Sequence, residues 1–246
     1  MTNRIADISL RKAAIVAGFG LLIMLIPAVF ANFFVLQSLI VPGDAAATAN
    51  NIMANELSFR IGICSFIIVI ILDVVVAWAL YVLLKPVNKS LSLLAAWFRL
   101  VYAAIFGIAL ANLFSVLPIL NGADYLTVFE TNQLHAQMML FLNAFDYGWS
   151  IGGVFFGLHL FFLGYLVFKS GYILFKSGYI PRILGVFLIV GGLVYLTNEF
   201  ANFLLANYAD YEAILLMAVA VPSMIGEIGL AVWLLIKGVK VPEMKS

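Results

Sequence analysis

The chain has 246 residues, of which 65% are hydrophobic and only 10% are charged, and its formal net charge is +1. Soluble domains are about 45–50% apolar and about 25% charged, so this composition excludes an ordinary water-soluble fold and favours a protein that lies in lipid. A charge so close to zero provides no basic surface for nucleic acid. The single cysteine, Cys64, excludes an internal disulfide, and we expect it to be a buried small hydrophobic residue.

Six apolar runs are each long enough to cross the roughly 30 Å hydrocarbon core of a bilayer as a helix. The first run follows Arg4, Arg11 and Lys12 and is longer than the apolar core of a cleaved signal peptide, so we expect a signal anchor that is also the first helix. The fold class predicted is all-α, a polytopic bundle forming a single transmembrane domain over residues 1–246. Its spans are predicted at 13–41, 57–84, 91–117, 147–168, 183–205 and 213–236.

Charge alternates between the links that join these runs. Lys and Arg occur before the first run, in the second and fourth links and after the sixth run. In the other three links, Asp and Glu are the only charged residues. Lys and Arg favour cytoplasmic loops. The pattern therefore predicts that both termini are cytoplasmic, and we expect a bacterial inner-membrane protein.

Residues 125–146 are too polar to span the bilayer but have apolar side chains at helical spacing, which predicts an outer amphipathic helix between spans three and four. In span four, small residues recur at fourth positions, a spacing that lets helix backbones approach closely in lipid. These residues are Gly148, Gly152, Gly153 and Gly157.

The same span ends in a near-exact repeat, FKSGYIL followed by FKSGYIP, over residues 168–181. Seven helical residues return almost to the same face, so a tandem heptad duplication is easily tolerated and predicts a harmless extension. The alternative is an interfacial turn around Tyr172 that docks another molecule.

Four ionisable residues on four different helices are predicted to lie at one depth. They are Asp73, Arg99, His159 and Glu227, each 10 to 12 residues from the lysine at the inner end of its span. Ten helical residues cover about 15 Å, half of the bilayer core. Isolated charges there cost at least about 2.5–3.5 kcal/mol each, so we expect the four to cluster and pair.

Polar neighbours extend this candidate site. Tyr102 is one turn from Arg99, and Ser223 is one turn before Glu227. A second group is predicted to line an outer cavity, with Arg60 and Glu199 as an ion pair. Its members are Arg60, Tyr195, Asn198 and Glu199.

The four inner residues carry two negative charges and one positive charge in their usual states, and one more proton would balance them. This favours a ligand-binding or proton-coupling site, with Asp73 and Glu227 titrating, Arg99 as counter-ion and His159 as proton acceptor or ligand donor. The ligand would be a small molecule or lipid, with proton-coupled transport as one form of the hypothesis.

Two alternatives remain open at this point. One is an intramembrane enzyme acting on a lipid, with His159 and a carboxylate as acid and base. The other is a structural or sensory subunit in which the ion pairs only hold helices in register. No metal site or cofactor is expected, because the two histidines, His135 and His159, are far apart in depth and HExxH, phosphate-loop and CxxC motifs do not occur.

Several stretches together resemble one family. They are PGDAAATANNI, FR at Arg60, DVVVAWALYVLLKPV around Asp73, FRLV at Arg99, FFGLHLFFLGYL around His159, SGYIPRILG, and GE with WLLIKG near Glu227. The chain is similar over nearly its whole length to bacterial six-span membrane proteins grouped as domain of unknown function 4386. The resemblance implies the six-span fold and no established activity. The chain departs from that pattern in carrying KSGYI twice.

Overall fold

The computed structural model describes residues 8–173 and 181–236, and within them the chain forms seven helices and no strand. Helix α1 covers Leu10–Leu39. The others are α2 (Ala45–Ala54), α3 (Glu56–Leu84), α4 (Lys89–Leu120), α5 (Thr131–Ile173), α6 (Arg182–Leu204) and α7 (Glu212–Ile236).

All of these helices except α2 are long and apolar enough to cross a membrane, with mean hydropathy between 1.8 and 2.9. Large apolar side chains such as Ile26, Leu57 and Ile108 lie on the outer surface, each more than 70% exposed. Water would disfavour such a surface, whereas lipid tails solvate it. The predicted six-helix multi-pass membrane fold is therefore confirmed. Cys64 is exposed, so its predicted burial is wrong: a small apolar side chain in a spanning helix can face lipid as readily as the core.

The spanning helices begin and end within a few residues of the predicted bounds, apart from the start and end of span four, and two helices differ from the prediction in a further way. In α1, the α-helical part includes Pro27 and ends at Val29, and a π-helical stretch follows over Phe30–Leu36. Residues after Thr131 are helical, as the amphipathic pattern predicts, but they continue without a break into span four. The separate outer helix is thus the first part of α5, a helix of 43 residues. Nothing between Thr131 and Tyr147 ends a helix, since that stretch contains no Pro or Gly.

The repeat at 168–181 is described only in part. Its first copy continues α5 as far as Ile173, and residues 174–180 lie outside the described residues. Whether the duplication is only an extension stays a prediction.

The described residues divide into two compact units, and the expectation of one domain stays a prediction. The first unit comprises residues up to Leu22, Asp73–Tyr102 and Gly153 onward. The second comprises Ile23–Leu72 and Ala103–Gly152.

In the first unit, glycines bring the backbones of α5 and α6 together. A Cβ on Gly192 would lie 2.6 Å from both the carbonyl oxygen of Gly157 and the amide nitrogen of Phe161. A Cβ on Gly164 would lie 2.7 Å from the carbonyl oxygen of Gly185. Side chains at these positions would therefore force the two helices apart, so the glycines set how close they lie.

In the second unit, one glycine likewise lets two helices lie close together, and an aromatic core packs beside it. A Cβ on Gly148 of α5 would lie 2.5 Å from the Cβ of Ala109 on α4. Phe66, Phe106 and Trp149 pack edge to face, with ring centroids 4.6–5.8 Å apart. Edge-to-face rings are a favourable arrangement beyond the area they bury.

Asp44 begins α2 in this second unit. Its side chain accepts a hydrogen bond from the amide of Ala47 at 2.8 Å, which satisfies one of the unpaired amides of the first turn. We expect Asp44→Ala to destabilise α2 by about 1 kcal/mol, the usual cost of losing such a cap. Hydrogen exchange of the amides in Ala45–Ala54 would then become faster. Asp124→Ala is the matched control, since the short turn it begins has a first-turn acidic residue but no side-chain cap; equal effects would contradict the cap's role.

Candidate functional site

Arg99 of α4 is the centre of a buried polar cluster in the first unit. Its side chain is 1% exposed. Nε and Nη2 donate to the same oxygen of Asp73 on α3, Oδ1, at 2.8 and 2.7 Å. Nη1 lies 3.1 Å from Nε2 of His159 on α5 and 3.2 Å from Oε1 of Glu227 on α7. The structure thus brings together the four inner residues that were singled out, from four helices.

The hydrogen bonds of His159 define its proton position. Nδ1 lies 2.8 Å from the carbonyl oxygen of Ala95, which can only accept, so Nδ1 carries the proton. Nε2 faces Arg99, whose guanidinium can only donate, so Nε2 accepts. The imidazole is therefore neutral in this arrangement, and both ring nitrogens are occupied.

Glu227 is the accessible member of the cluster. Its side chain is 22% exposed, whereas those of Arg99 and Asp73 are 1% and 2% exposed. On the same helix, Met224 and Ile225 are 50% and 43% exposed. The cluster therefore reaches the surface of this unit along α7, beside apolar side chains.

Two buried polar atoms near the cluster have no hydrogen-bond partner among the described residues. One is Oδ2 of Asp73, the carboxylate oxygen that Arg99 does not contact. The other is the hydroxyl of Ser223, which is 7% exposed and packs against Gly191 of α6. Such orphaned groups are costly in a protein interior and call for an explanation. The cluster is paired through Arg99 but not complete.

Phe156, one turn before His159 on α5, forms an aromatic wall beside the cluster. Its ring centroid lies 5.4 Å from the guanidinium carbon of Arg99 and 5.9 Å from the ring of His159. The rings of Tyr102 and Tyr195 lie 4.9 and 5.4 Å from it. Sequence analysis missed Phe156 because one Phe in an apolar run carries no signal; only its spacing from His159 points to it.

The four residues predicted to line an outer cavity belong to different units: Tyr195, Asn198 and Glu199 to the first and Arg60 to the second. Asn198 and Glu199 of α6 are each 4% exposed, and the Asn198 amide donates to Glu199 Oε1 at 3.2 Å. Tyr208, in the link to α7, donates to Asn198 Oδ1 at 3.0 Å. Burial, and then the charges of Glu212 and Glu199, raise the pKa of Tyr208, so this phenol keeps its proton.

Arg60 belongs to the second unit and has a partner within its own helix, Glu56, at 2.6 Å. The predicted pair of Arg60 with Glu199, a residue of the first unit, stays a prediction. The reason is local: residues four apart on a helix are neighbours whatever the tertiary arrangement. The exposed pair Arg60–Glu56 carries no argument for a buried cavity, since both side chains are more than a third exposed.

Comparison with known proteins identifies the family to which this chain belongs. Residues 16–238 match the domain of unknown function DUF4386. The chain belongs to the DUF4386 family. An uncharacterized protein from Archaeoglobus fulgidus is similar to this DUF4386 chain, with 35% identity over 184 residues, which cover 75% of this chain and 88% of the relative. No solved structure matches it. The resemblance noted from the sequence is confirmed.

The chemistry open to this DUF4386 site follows from its charges. With Asp73 and Glu227 ionised, Arg99 protonated and His159 neutral, the cluster carries a formal charge of −1. Within the described residues, no group of three or more His, Cys, Asp or Glu side chains is placed to hold a metal ion. A proton, or a ligand group that donates hydrogen bonds, matches both this charge and Asp73 Oδ2, which has no partner in the described part of the chain.

Proposed function

We propose that this protein binds a small molecule, or the headgroup of a lipid, at the cluster of Asp73, Arg99, His159 and Glu227, and exchanges a proton there. The observation that carries this proposal is that two buried atoms, Asp73 Oδ2 and Ser223 Oγ, have no hydrogen-bond partner in residues 8–173 and 181–236. A bound group that donates to the carboxylate oxygen and bonds the hydroxyl would satisfy both.

The charge of the cluster supports the proton-coupled form of this proposal. A cluster of charge −1 inside a bilayer is costly, and either a proton or a donor group on a ligand lowers that cost. The two then compete for the same carboxylate oxygens. Proton-coupled transport follows if the site exchanges one for the other on opposite sides of the membrane.

The route to the site supports an amphiphilic ligand. Glu227 is the partly exposed member, and its helical neighbours Met224 and Ile225 are exposed apolar residues. A molecule dissolved in the bilayer could place its polar group on Glu227 and its apolar part along α7. The enzyme alternative has less support, because both nitrogens of His159 are already bonded and neither is free to act on a substrate.

We further propose that the protein lies in a cytoplasmic membrane with the Lys- and Arg-bearing links on the cytoplasmic side. The alternation of basic and acidic links supports this orientation. Labelling of single cysteines placed in the acidic and basic links, from each side of the membrane, tests it.

Ser223→Ala tests the binding proposal with little risk to folding. Protein purified in mild detergent would be extracted, and its small molecules and lipids measured by mass spectrometry. We expect Ser223→Ala to retain about threefold to tenfold less of a ligand enriched on the wild type, the effect of one lost hydrogen bond. Its thermal stability should be unchanged or slightly higher, because the lost hydroxyl has no hydrogen-bond partner among the described residues.

The matched control is Ser65→Ala, a serine of similar burial on α3 in the second unit. It should retain the ligand as the wild type does. Lowering the pH should weaken retention by the wild type, since protons compete for the carboxylates. Equal retention by both variants and the wild type would overturn the proposed site.

A further inference from the structure

Two basic residues lie together at one end of the first unit, near the end of α5 and the start of α6. The two helices are in backbone contact there: a Cβ on Gly185 would lie 2.7 Å from the amide nitrogen of Phe168 and 2.8 Å from the carbonyl oxygen of Gly164. Phe168 and Lys169 begin the first copy of the repeat, and Arg182 follows the second copy. The contact therefore brings Lys169 and Arg182 to the seam between α5 and α6.

Both basic side chains lie over aromatic rings of α5. The Nζ atom of Lys169 lies 5.0 Å from the centroid of the Tyr165 ring, and Cζ of Arg182 lies 5.7 Å from the centroid of the Phe168 ring. Cations within about 6 Å of a ring centroid are attracted to the ring. Tyr165, Phe168 and Lys169 are three and four residues apart, so they share one face of α5. The rings therefore hold two cations on a common face.

The depth of these cations matches that of phospholipid phosphates. Lys169 is ten residues after His159, which is predicted to lie at mid-membrane, and ten residues of helix rise about 15 Å. That is half of a hydrocarbon core of about 30 Å, so Lys169 lies where the lipid headgroups begin. Both Lys169 and Arg182 are exposed there.

The charged residues described at this end of the unit are all basic, and all are exposed. They are Arg11 and Lys12 at the start of α1, Lys85 and Lys89 at the α3–α4 link, Lys169 near the end of α5, and Arg182 at the start of α6. Basic residues at headgroup level attract anionic lipids. A zwitterionic lipid carries a cation of its own beside the phosphate and would be attracted less.

An exposed apolar stripe continues from Arg182 along α6. Val186 and Val190 follow Arg182 at four and eight residues, so all three lie on one face of the helix. Their side chains are 40% and 42% exposed, and Ile183 beside Arg182 is 55% exposed. A cationic end followed by an apolar stripe matches a phospholipid, whose phosphate lies at the membrane surface and whose acyl chains run inward.

We propose that Lys169 and Arg182 bind the phosphate of an anionic phospholipid, with an acyl chain along Val186 and Val190. A guanidinium can pair with two phosphate oxygens at once, whereas an ammonium acts as a compact charge. The chemistry is opposite to that of the cluster around Arg99, which carries a charge of −1 and matches a hydrogen-bond donor. The phospholipid site therefore goes beyond the proposed function and does not depend on it.

Native mass spectrometry of the full chain in a neutral detergent tests the site. Phosphatidylglycerol, or phosphatidylcholine with the same acyl chains, would be titrated in, and the bound lipid counted. We expect the wild type to bind phosphatidylglycerol more tightly. Lys169→Gln and Arg182→Gln should each weaken that binding about fivefold, and together about 25-fold, the usual effect of losing basic residues beside anionic lipid. The melting temperature should change little, because both side chains are exposed.

The matched control is the double variant Lys85→Gln and Lys89→Gln, which removes the same charge from the same end of the unit. It should bind phosphatidylglycerol nearly as the wild type does. Equal losses in the two double variants would overturn the proposal, since a diffuse positive surface would then explain the binding. Equal binding of the two lipids by the wild type would also overturn it.

Glycerol 3-phosphate distinguishes a lipid from a soluble phosphate compound. We expect it to displace phosphatidylglycerol only at a far higher concentration, because it has no acyl chain to lie along α6. Displacement at a similar concentration would contradict a lipid site. Ser223→Ala should bind phosphatidylglycerol as the wild type does, so the outcome here is independent of the outcome at the cluster.

Discussion

Arg99→Ala is expected to destabilise the folded protein by about 3–5 kcal/mol, the usual cost of removing one partner from a buried ion pair. Among the described residues, Arg99 is the only partner of Asp73 Oδ1, and it also donates hydrogen bonds to Glu227 and His159. The change removes all of these bonds. Two carboxyl groups would then remain inside the membrane without the cation. Unfolding in mixed micelles of a mild and a denaturing detergent measures the change, and ligand retention by the same variant should be lost.

Arg60→Ala is the matched control for this prediction. Its ion pair with Glu56 joins neighbours on one helix, and its side chain is 48% exposed, so its removal should change the unfolding midpoint little. Adding Asp73→Asn and Glu227→Gln to Arg99→Ala should recover part of the lost stability, because neutral amides no longer need the guanidinium. A wild-type midpoint for Arg99→Ala would contradict the pairing described above.

Gly192→Ala should give the second large effect, about 1–3 kcal/mol of destabilisation through overpacking. The added Cβ would meet two backbone atoms of α5 at 2.6 Å, and backbone cannot move aside as the end of a side chain can. Helices α5 and α6 would have to separate, and α5 carries His159 of the candidate site. The same mixed-micelle unfolding measures it.

Gly107→Ala provides the contrasting case on α4. The nearest atom to its added Cβ is Cδ1 of Ile70 at 4.0 Å, so there is room. Alanine is the better helix former by about 1 kcal/mol, and this variant should be neutral or more stable. If both substitutions had the same effect, close packing at Gly192 would not be what sets the distance between the helices.

The glycines show what the spacing of small residues can and cannot predict about helix packing. Small residues at fourth positions predicted close helix approach, and Gly148 and Gly157 do lie against a neighbouring helix. Gly107 has the same spacing with Ala103 and Ala111, but an added Cβ there would make only an ordinary contact, 4.0 Å from Cδ1 of Ile70. The spacing places small residues on one face of a helix, but it does not say whether a neighbour packs on that face.

For the candidate site too, the sequence predicted some features and the structure was needed for others. Depth could be counted from the inner lysines because a helix rises by a constant amount per residue. Counting placed Asp73, Arg99, His159 and Glu227 at one level, and the structure places them within hydrogen-bonding distance of Arg99. It could not reveal that His159 bonds the Ala95 carbonyl, or that one oxygen of Asp73 and the hydroxyl of Ser223 have no partner among the described residues.

Composition and periodicity therefore determined the six apolar helices, because the cost of exposing backbone and charge in lipid depends on local sequence. They also determined which ionisable residues would be costly to bury. The tertiary structure decided which atoms Arg99 contacts. Its acceptors come from three other helices, so its partners depend on how those helices rotate and pack. It likewise decided that Arg60 takes its helical neighbour Glu56 and that Phe156 adjoins the cluster, because contacts of that kind follow from the geometry of packed helices and leave no pattern in the chain.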